Sequence, residues 1–161
     1  MREWLVGGAV LEGPSGLLLV RNRRRDGSVD WSPPGGVIDA GESVLKGIGR
    51  EVAEETGLVV TAWTGKLYEI RATAPGMGWN LRVEAWLAAS WDGELRFDDP
   101  DGIVETAAWV DVDACGSHLS DGAPWVAEPV LEWLTHRWVD PRMFEYDIAG
   151  SDRASLVVTR V

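Results

Sequence analysis

The chain has 161 residues, of which 45% are hydrophobic and 25% charged. This is one folded domain able to bury roughly two thirds of its unfolded surface, and it excludes a disordered tail or low-complexity array. A formal net charge of −11 repels a phosphate backbone, which excludes a nucleic-acid-coating surface and favours a small-molecule partner.

Cys115 is the single cysteine, so no intramolecular disulfide is expected. The first residues, Met1 to Leu11, are apolar but broken by Gly7 and Gly8 and lack a basic leader segment, and no apolar stretch reaches the roughly 18 residues of a membrane span. They read as a strand, and a cytoplasmic protein without membrane association is the expectation. Trp4 to Leu11 and Leu17 to Arg21 are apolar runs around the turn-rich Glu12-Gly13-Pro14-Ser15-Gly16, the pattern of an antiparallel hairpin. Basic residues Arg21, Arg23, Arg24 and Arg25 end the second run. Trp31-Ser32-Pro33-Pro34-Gly35-Gly36 forbids helix and shapes a tight loop.

Ser43 to Thr56 carries a helical pattern, with Ser43 as N-cap and Gly57 as left-handed stop. Strand-like segments follow at Leu58 to Arg71, Leu81 to Ala89 and Glu105 to Val110, with breaks at Pro75-Gly76-Met77-Gly78 and across the acidic Asp98 to Gly102. Trp125 to Trp138 spaces Val126, Val130, Leu131 and Leu134 as a second helix before Pro141. Met143 to Ile148 and Ala154 to Val161 flank Ala149-Gly150-Ser151-Asp152-Arg153 as a C-terminal hairpin, which must dock on its own domain or on a partner subunit to be stable. His118 and His136 have no ligand-spaced partners and read as ordinary surface or helix residues.

Chemistry concentrates on the first helix. With Glu51 taken as zero, Glu54 falls near −60° and Glu55 near about +40° at roughly 100° per residue, so three carboxylates share one face. Leu45, Ile48 and Val52 border that face at about +60° to +120°, which sets the acids at a cleft edge. Like charges one turn apart repel, and a hard divalent cation removes that penalty. Arg50 points away from Glu51 and suits the orientation of a carboxylate, with Glu42 as its partner. Gly47 and Gly49 each cost about 1 kcal/mol relative to alanine. Either they allow close packing of the Pro33 to Gly36 loop, or a stable fold tolerates them.

From Gly36 to Leu58 the sequence resembles the Nudix box, G-x5-E-x7-R-E-U-x-E-E-x-G-U with U aliphatic. Gly36, Glu42, Arg50, Glu51, Val52, Glu54, Glu55, Gly57 and Leu58 fill every defined slot. Seven fixed identities at roughly one in twenty each would match a random window about once in 10⁹, which removes coincidence as a competitor. The resemblance implies an α/β Nudix fold, an α/β/α sandwich with a mixed sheet over residues 1–140, with a C-terminal β-hairpin at 141–161 as an extension of the same domain. It also implies that Glu51, Glu54 and Glu55 bind Mg²⁺ or Mn²⁺ with the Gly35 carbonyl as a further ligand. Glu54, Glu55 and Arg50 form the expected catalytic group, with Glu54 or Glu55 as base.

Glu105 is a candidate for the extra acidic ligand that many members carry, in competition with Asp98, Asp99 and Asp101. Arg21 and Arg23 are candidate phosphate grips, while Arg24 and Arg25 read as a solvated strand end. Among the ten tryptophans, Trp31 leads into the box and reads as structural support rather than a base-stacking platform. The expected reaction is Mg²⁺-dependent hydrolysis of a phosphoanhydride bond in a nucleoside diphosphate linked to a variable group, of the nucleoside triphosphate or damaged-dNTP type, releasing a nucleoside monophosphate. ADP-ribose or a nucleotide sugar is the alternative substrate, Pro75 lying 17 residues past Leu58. A non-catalytic nucleotide-binding regulatory module is the reading from another class. Oligomeric state stays open, with a homodimer expected by family analogy.

Overall fold

The computed structural model describes residues 1–161. In chain order the elements are β1 (Arg2–Val10), β2 (Glu12–Gly13), β3 (Gly16–Arg23), β4 (Val29–Ser32), β5 (Gly35–Val37), α1 (Val44–Thr56), β6 (Val59–Ala74), β7 (Trp79–Asp92), β8 (Val104–Val110), α2 (Cys115–Leu119), α3 (Pro124–His136), β9 (Arg142–Ala149) and β10 (Val157–Arg160). A six-stranded mixed sheet runs β10-β9-β6-β7-β1-β5, and a smaller sheet centres on β3, flanked by β2 and β4 on one side and β8 on the other. No helix is long and apolar enough to cross a membrane.

One expected pairing is different. β1 does not form a hairpin with β3; it pairs in parallel with β7 from Arg2↔Trp79 to Val10↔Leu87 and antiparallel with β5. Only Glu12 and Gly13 pair back onto Leu17 and Gly16. The chain turns at Leu11 into the second sheet because β3 is apolar on both faces. Leu17 and Leu19 enter one core cluster, Leu18 and Val20 the other, and all four are fully buried. A strand buried on both sides belongs between layers and not at an amphipathic sheet edge. Gly16 makes the turn possible: its φ is 130°, and a Cβ there would sit 2.0 Å from the Val110 carbonyl oxygen.

α1 lies over β1 and β5 and touches β8, while α3 contacts β6 and β9. The first core cluster joins the sheet residues Tyr68, Ile70 and Phe144 to Val130 and Trp133 of α3. The second joins Ile48 and Val52 of α1 to Ala9, Ala88 and Leu18. α2 was not anticipated from the sequence; Cys115 and Leu119 bury it in one short turn. α3 ends at His136, where Arg137 takes a left-handed φ of 51° and its guanidinium pairs with Glu12.

The C-terminal hairpin is part of the main sheet. β9 pairs in parallel with β6 from Tyr68↔Arg142 to Thr73↔Asp147, and β10 pairs antiparallel with β9. Strict alternation explains its seat: Phe144, Tyr146 and Ile148 are buried, and Met143, Glu145 and Asp147 are exposed. The Tyr146 hydroxyl donates to Glu128 on α3 at 2.9 Å, and Arg160 pairs with Glu132 on the same helix.

The two glycines inside α1 separate cleanly. A Cβ at Gly47 would lie 2.6 Å from Ile38 Cδ1 and 2.8 Å from Glu42 Oε1, whereas one at Gly49 would meet nothing within 4 Å. Gly49→Ala is expected to stabilise the fold by about 0.5–1 kcal/mol through helix propensity. Gly47→Ala is expected to destabilise it by about 1–3 kcal/mol through overpacking, despite the same propensity gain. Thermal or urea unfolding of the two variants checks both signs.

Candidate active site

Local chemistry fixes the helix that presents the acids. Ser43 accepts from the Lys46 amide at 3.2 Å, and Gly57 closes the far end at φ 79° with its N–H on the Ala53 carbonyl. Glu51, Glu54 and Glu55 therefore occupy the last two turns, facing β5. Gly35 and Gly36 let that strand pass between β1 and the acids. A Cβ on Gly36 would stand 2.5 Å from the Glu51 carboxyl carbon, and one on Gly35 would stand 2.1 Å from the Gly7 carbonyl oxygen.

Glu51, Glu54 and Asp101 each offer a carboxylate oxygen, and these oxygens all lie within 4.8 Å of one another. Glu55 is buried beside them and accepts the Gly35 amide at 2.8 Å. Arg50 is the only cation wedged into this group. Its Nε and Nη2 grip Glu42 at 2.8 and 3.0 Å, Nη1 reaches Glu51 at 3.1 Å and Glu54 at 3.4 Å, and Nη2 also donates to the Val37 carbonyl at 3.2 Å. The fork thus ties the loop after β5 to the acidic face.

Electrostatics differ among the glutamates. The Arg50 guanidinium, helped by the Asp39 amide, pulls the Glu42 carboxyl down to about 2. Burial raises Glu51 against the opposing pull of Arg50. Glu55 is pushed up to about 9, first by burial and then by the charges of Glu51, Asp99 and Glu54, with the Gly35 amide acting the other way.

These residues stand at one end of a cleft of about 650 Å³. Tyr68, Ile70, Leu81, Val83 and Trp125 make its far wall apolar, while Asn22, Arg24 and Ser32 form a polar wall from the smaller sheet. Arg21, Arg23 and Glu105 lie outside it. Arg21 Nη1 reaches Glu105 at 3.3 Å, and Arg23 pairs with the same carboxylate. Strand parity is the cause: on β3 the odd positions Arg21 and Arg23 face away, while Asn22, and Arg24 one residue past the strand, face the cleft. Asp101, on the loop before β8, stands where Glu105 was expected. Asp99 also lines the cleft, but it turns an oxygen to the Ile103 and Val104 amides at 3.1 and 3.0 Å. Trp31 packs edge-on against His118 at 5.1 Å between ring centres and supports the core, and Pro75 opens the β6–β7 turn away from the cleft.

The sign of the pH response follows from Glu55. Its carboxyl binds a proton more tightly in the folded protein, at about 9, than in the unfolded chain, near 4.5. Ionisation in the native state is therefore unfavourable, and the metal-free protein should lose stability as pH rises through that window. Thermal unfolding in chelator between pH 5 and 9 should show this decline, and Glu55→Gln should flatten it.

A family model of the NUDIX domain matches residues 1–134. The chain is 37% identical over 90 residues to a Mycolicibacterium smegmatis protein named 8-oxo-(d)GTP phosphatase, which is 56% of this chain and 26% of that protein. It is 32% identical over 128 residues to a Mycobacterium tuberculosis protein that carries the name MutT4, covering 74% of this chain and 50% of that one. The chain thus spans no more than half the length of either relative. Among solved structures it superposes on a MutT NUDIX hydrolase from Burkholderia pseudomallei with a TM-score of 0.68 at 24% identity, over 82% of this chain and 98% of the other. That likeness speaks to the fold. With five sixths of its length matched by the family model, this chain belongs to the Nudix family.

Proposed function

We propose that this chain is a divalent-cation-dependent pyrophosphohydrolase that cleaves a phosphoanhydride bond in a nucleoside triphosphate, releasing a nucleoside monophosphate and pyrophosphate. The observation that carries this reading is the convergence of Glu51, Glu54 and Asp101 within 4.8 Å at one end of a cleft whose other end is apolar. The named activity of the mycobacterial relative supports the nucleoside triphosphate among the substrates open to the family.

The donor set fits Mg²⁺ or Mn²⁺. All the convergent side-chain atoms are hard carboxylate oxygens, and one guanidinium is left to balance Glu42, Glu51 and Glu54. Glu51, Glu54, Glu55 and Asp101 would hold such ions, with Gly35 on the adjoining wall. When bound, the cation would neutralise charge on the phosphoryl oxygens and acidify a water molecule.

The chain's own groups do the remainder. Arg50 holds Glu51 and Glu54 in place and keeps their shared face from splaying. Glu54 opens to the cleft, whereas Glu55 is buried and keeps its proton up to about 9. Of these two candidate bases, Glu55 serves only where added positive charge lowers its affinity for that proton. Arg24 lines the cleft where Arg21 and Arg23 do not, with its Nε and Nη2 held by Asp30.

A panel of nucleoside triphosphates, ADP-ribose and nucleotide sugars, assayed with Mg²⁺, tests the proposal. Turnover should require the cation and stop on chelation. Glu54→Gln and Glu55→Gln should each lower kcat by about a hundredfold or more while the protein stays folded. Wild-type rates in both variants would refute the site. Arg50→Ala should weaken cation affinity by about 10–100-fold, read as the Mg²⁺ concentration for half-maximal rate.

A further inference from the structure

Asn22 is a buried polar side chain on the cleft wall, with only 5% of its surface exposed. Its amide nitrogen spends both hydrogens, on Asp30 Oδ1 at 3.1 Å and Ser32 Oγ at 2.9 Å. Asp30 is in turn clamped by Arg24, whose Nε and Nη2 each lie 2.7 Å from one of its oxygens. A carboxylate only accepts hydrogen bonds, so the amide cannot turn over without setting its oxygen against Asp30. The orientation is locked, and Asn22 Oδ1, which accepts no hydrogen bond from the protein, is left on the cleft wall. Ser32 accepts from Asn22, which leaves the Ser32 hydroxyl hydrogen free to donate.

We propose that the locked Asn22 oxygen reads an exocyclic amino group on the substrate's nucleobase, with Asp30 and Arg24 as the positioning residues that fix it. This rests on the reading of the cleft as a nucleotide site. The opposite wall of Tyr68, Ile70, Val83 and Trp125 suits a flat ring, and the acidic end claims the phosphates. A neutral acceptor beside a free hydroxyl donor complements the edge of a base on which an amino group neighbours a ring nitrogen or carbonyl. A site built to accept from an amino group rejects the analogue that lacks it, because the oxygen, once covered by the bound base, is then left unpaired.

The test compares nucleotides that differ by that one group: guanine against hypoxanthine, and adenine against unsubstituted purine. Non-hydrolysable α,β-methylene triphosphates give Kd by calorimetry with Mg²⁺, and the natural triphosphates give KM and kcat. Wild type should prefer the amino member of at least one pair by about tenfold or more in Kd and KM. Asn22→Leu should abolish that ratio. Asp30→Asn, which frees the amide to turn, should reduce it, and this variant decides the matter if Asn22→Leu does not fold. Equal binding within both pairs, or an undiminished ratio in the folded variants, overturns the inference; so does a preference that follows the ribose 2′-hydroxyl in ribo and deoxy pairs. Hydrolysis without discrimination sinks this inference alone. Discrimination in binding without any product sinks the enzymatic reading alone, and no binding to any nucleotide sinks both.

Discussion

Carboxylates of like charge crowd the last two turns of α1, and one guanidinium holds them there. Arg50 touches Glu42, Glu51, Glu54 and the Val37 carbonyl with a single planar fork. A lysine has no such reach, since its donors radiate from one point. Burial first, and the neighbouring carboxylates after it, raise the proton affinities of Glu51 and Glu55, and the site is short of positive charge. Stability of the empty site and affinity for a cation are therefore two sides of one imbalance: what the folded chain loses by crowding acids, a bound ion recovers.

Missing side chains make that crowding geometrically feasible. Gly36 cedes the space that the Glu51 carboxyl fills, Gly35 that of the Gly7 carbonyl, and Gly47 that of Ile38 and Glu42. Strand, loop and helix meet at distances that any side chain would prevent. The cost in helix propensity at Gly47 is offset by contact between layers, and Gly49 shows the same residue type where no such contact exists.

The helix and its cargo were legible in the residues alone. Ser43, Gly57 and the angular placement of Glu51, Glu54 and Glu55 are local, set by a period of 3.6 and by capping. The alternation of Phe144, Tyr146 and Ile148 announced a strand, and its parallel seat against β6 was invisible because pairing partners 70 or more residues apart leave no local mark. Misplacing β1 had the same origin. Charge alone points to Arg21 and Arg23, whereas parity along β3 points to Asn22 and, one residue past the strand, Arg24. Asp101 joins the acidic group from a loop with no periodicity to read, whereas Glu105 sits outside it with two arginine partners.

The first strand has a consequence for how the chain is made. β1 finds its parallel partner only between Trp79 and Leu87, with β5 as its other neighbour. During synthesis the apolar run from Trp4 to Leu11 therefore leaves the ribosome as an unsatisfied edge, and its sheet cannot close until residues well past 79 have emerged. Such distant pairing slows folding and leaves a window in which two nascent copies could zip together. Chaperone occupancy on the growing chain should concentrate in that interval.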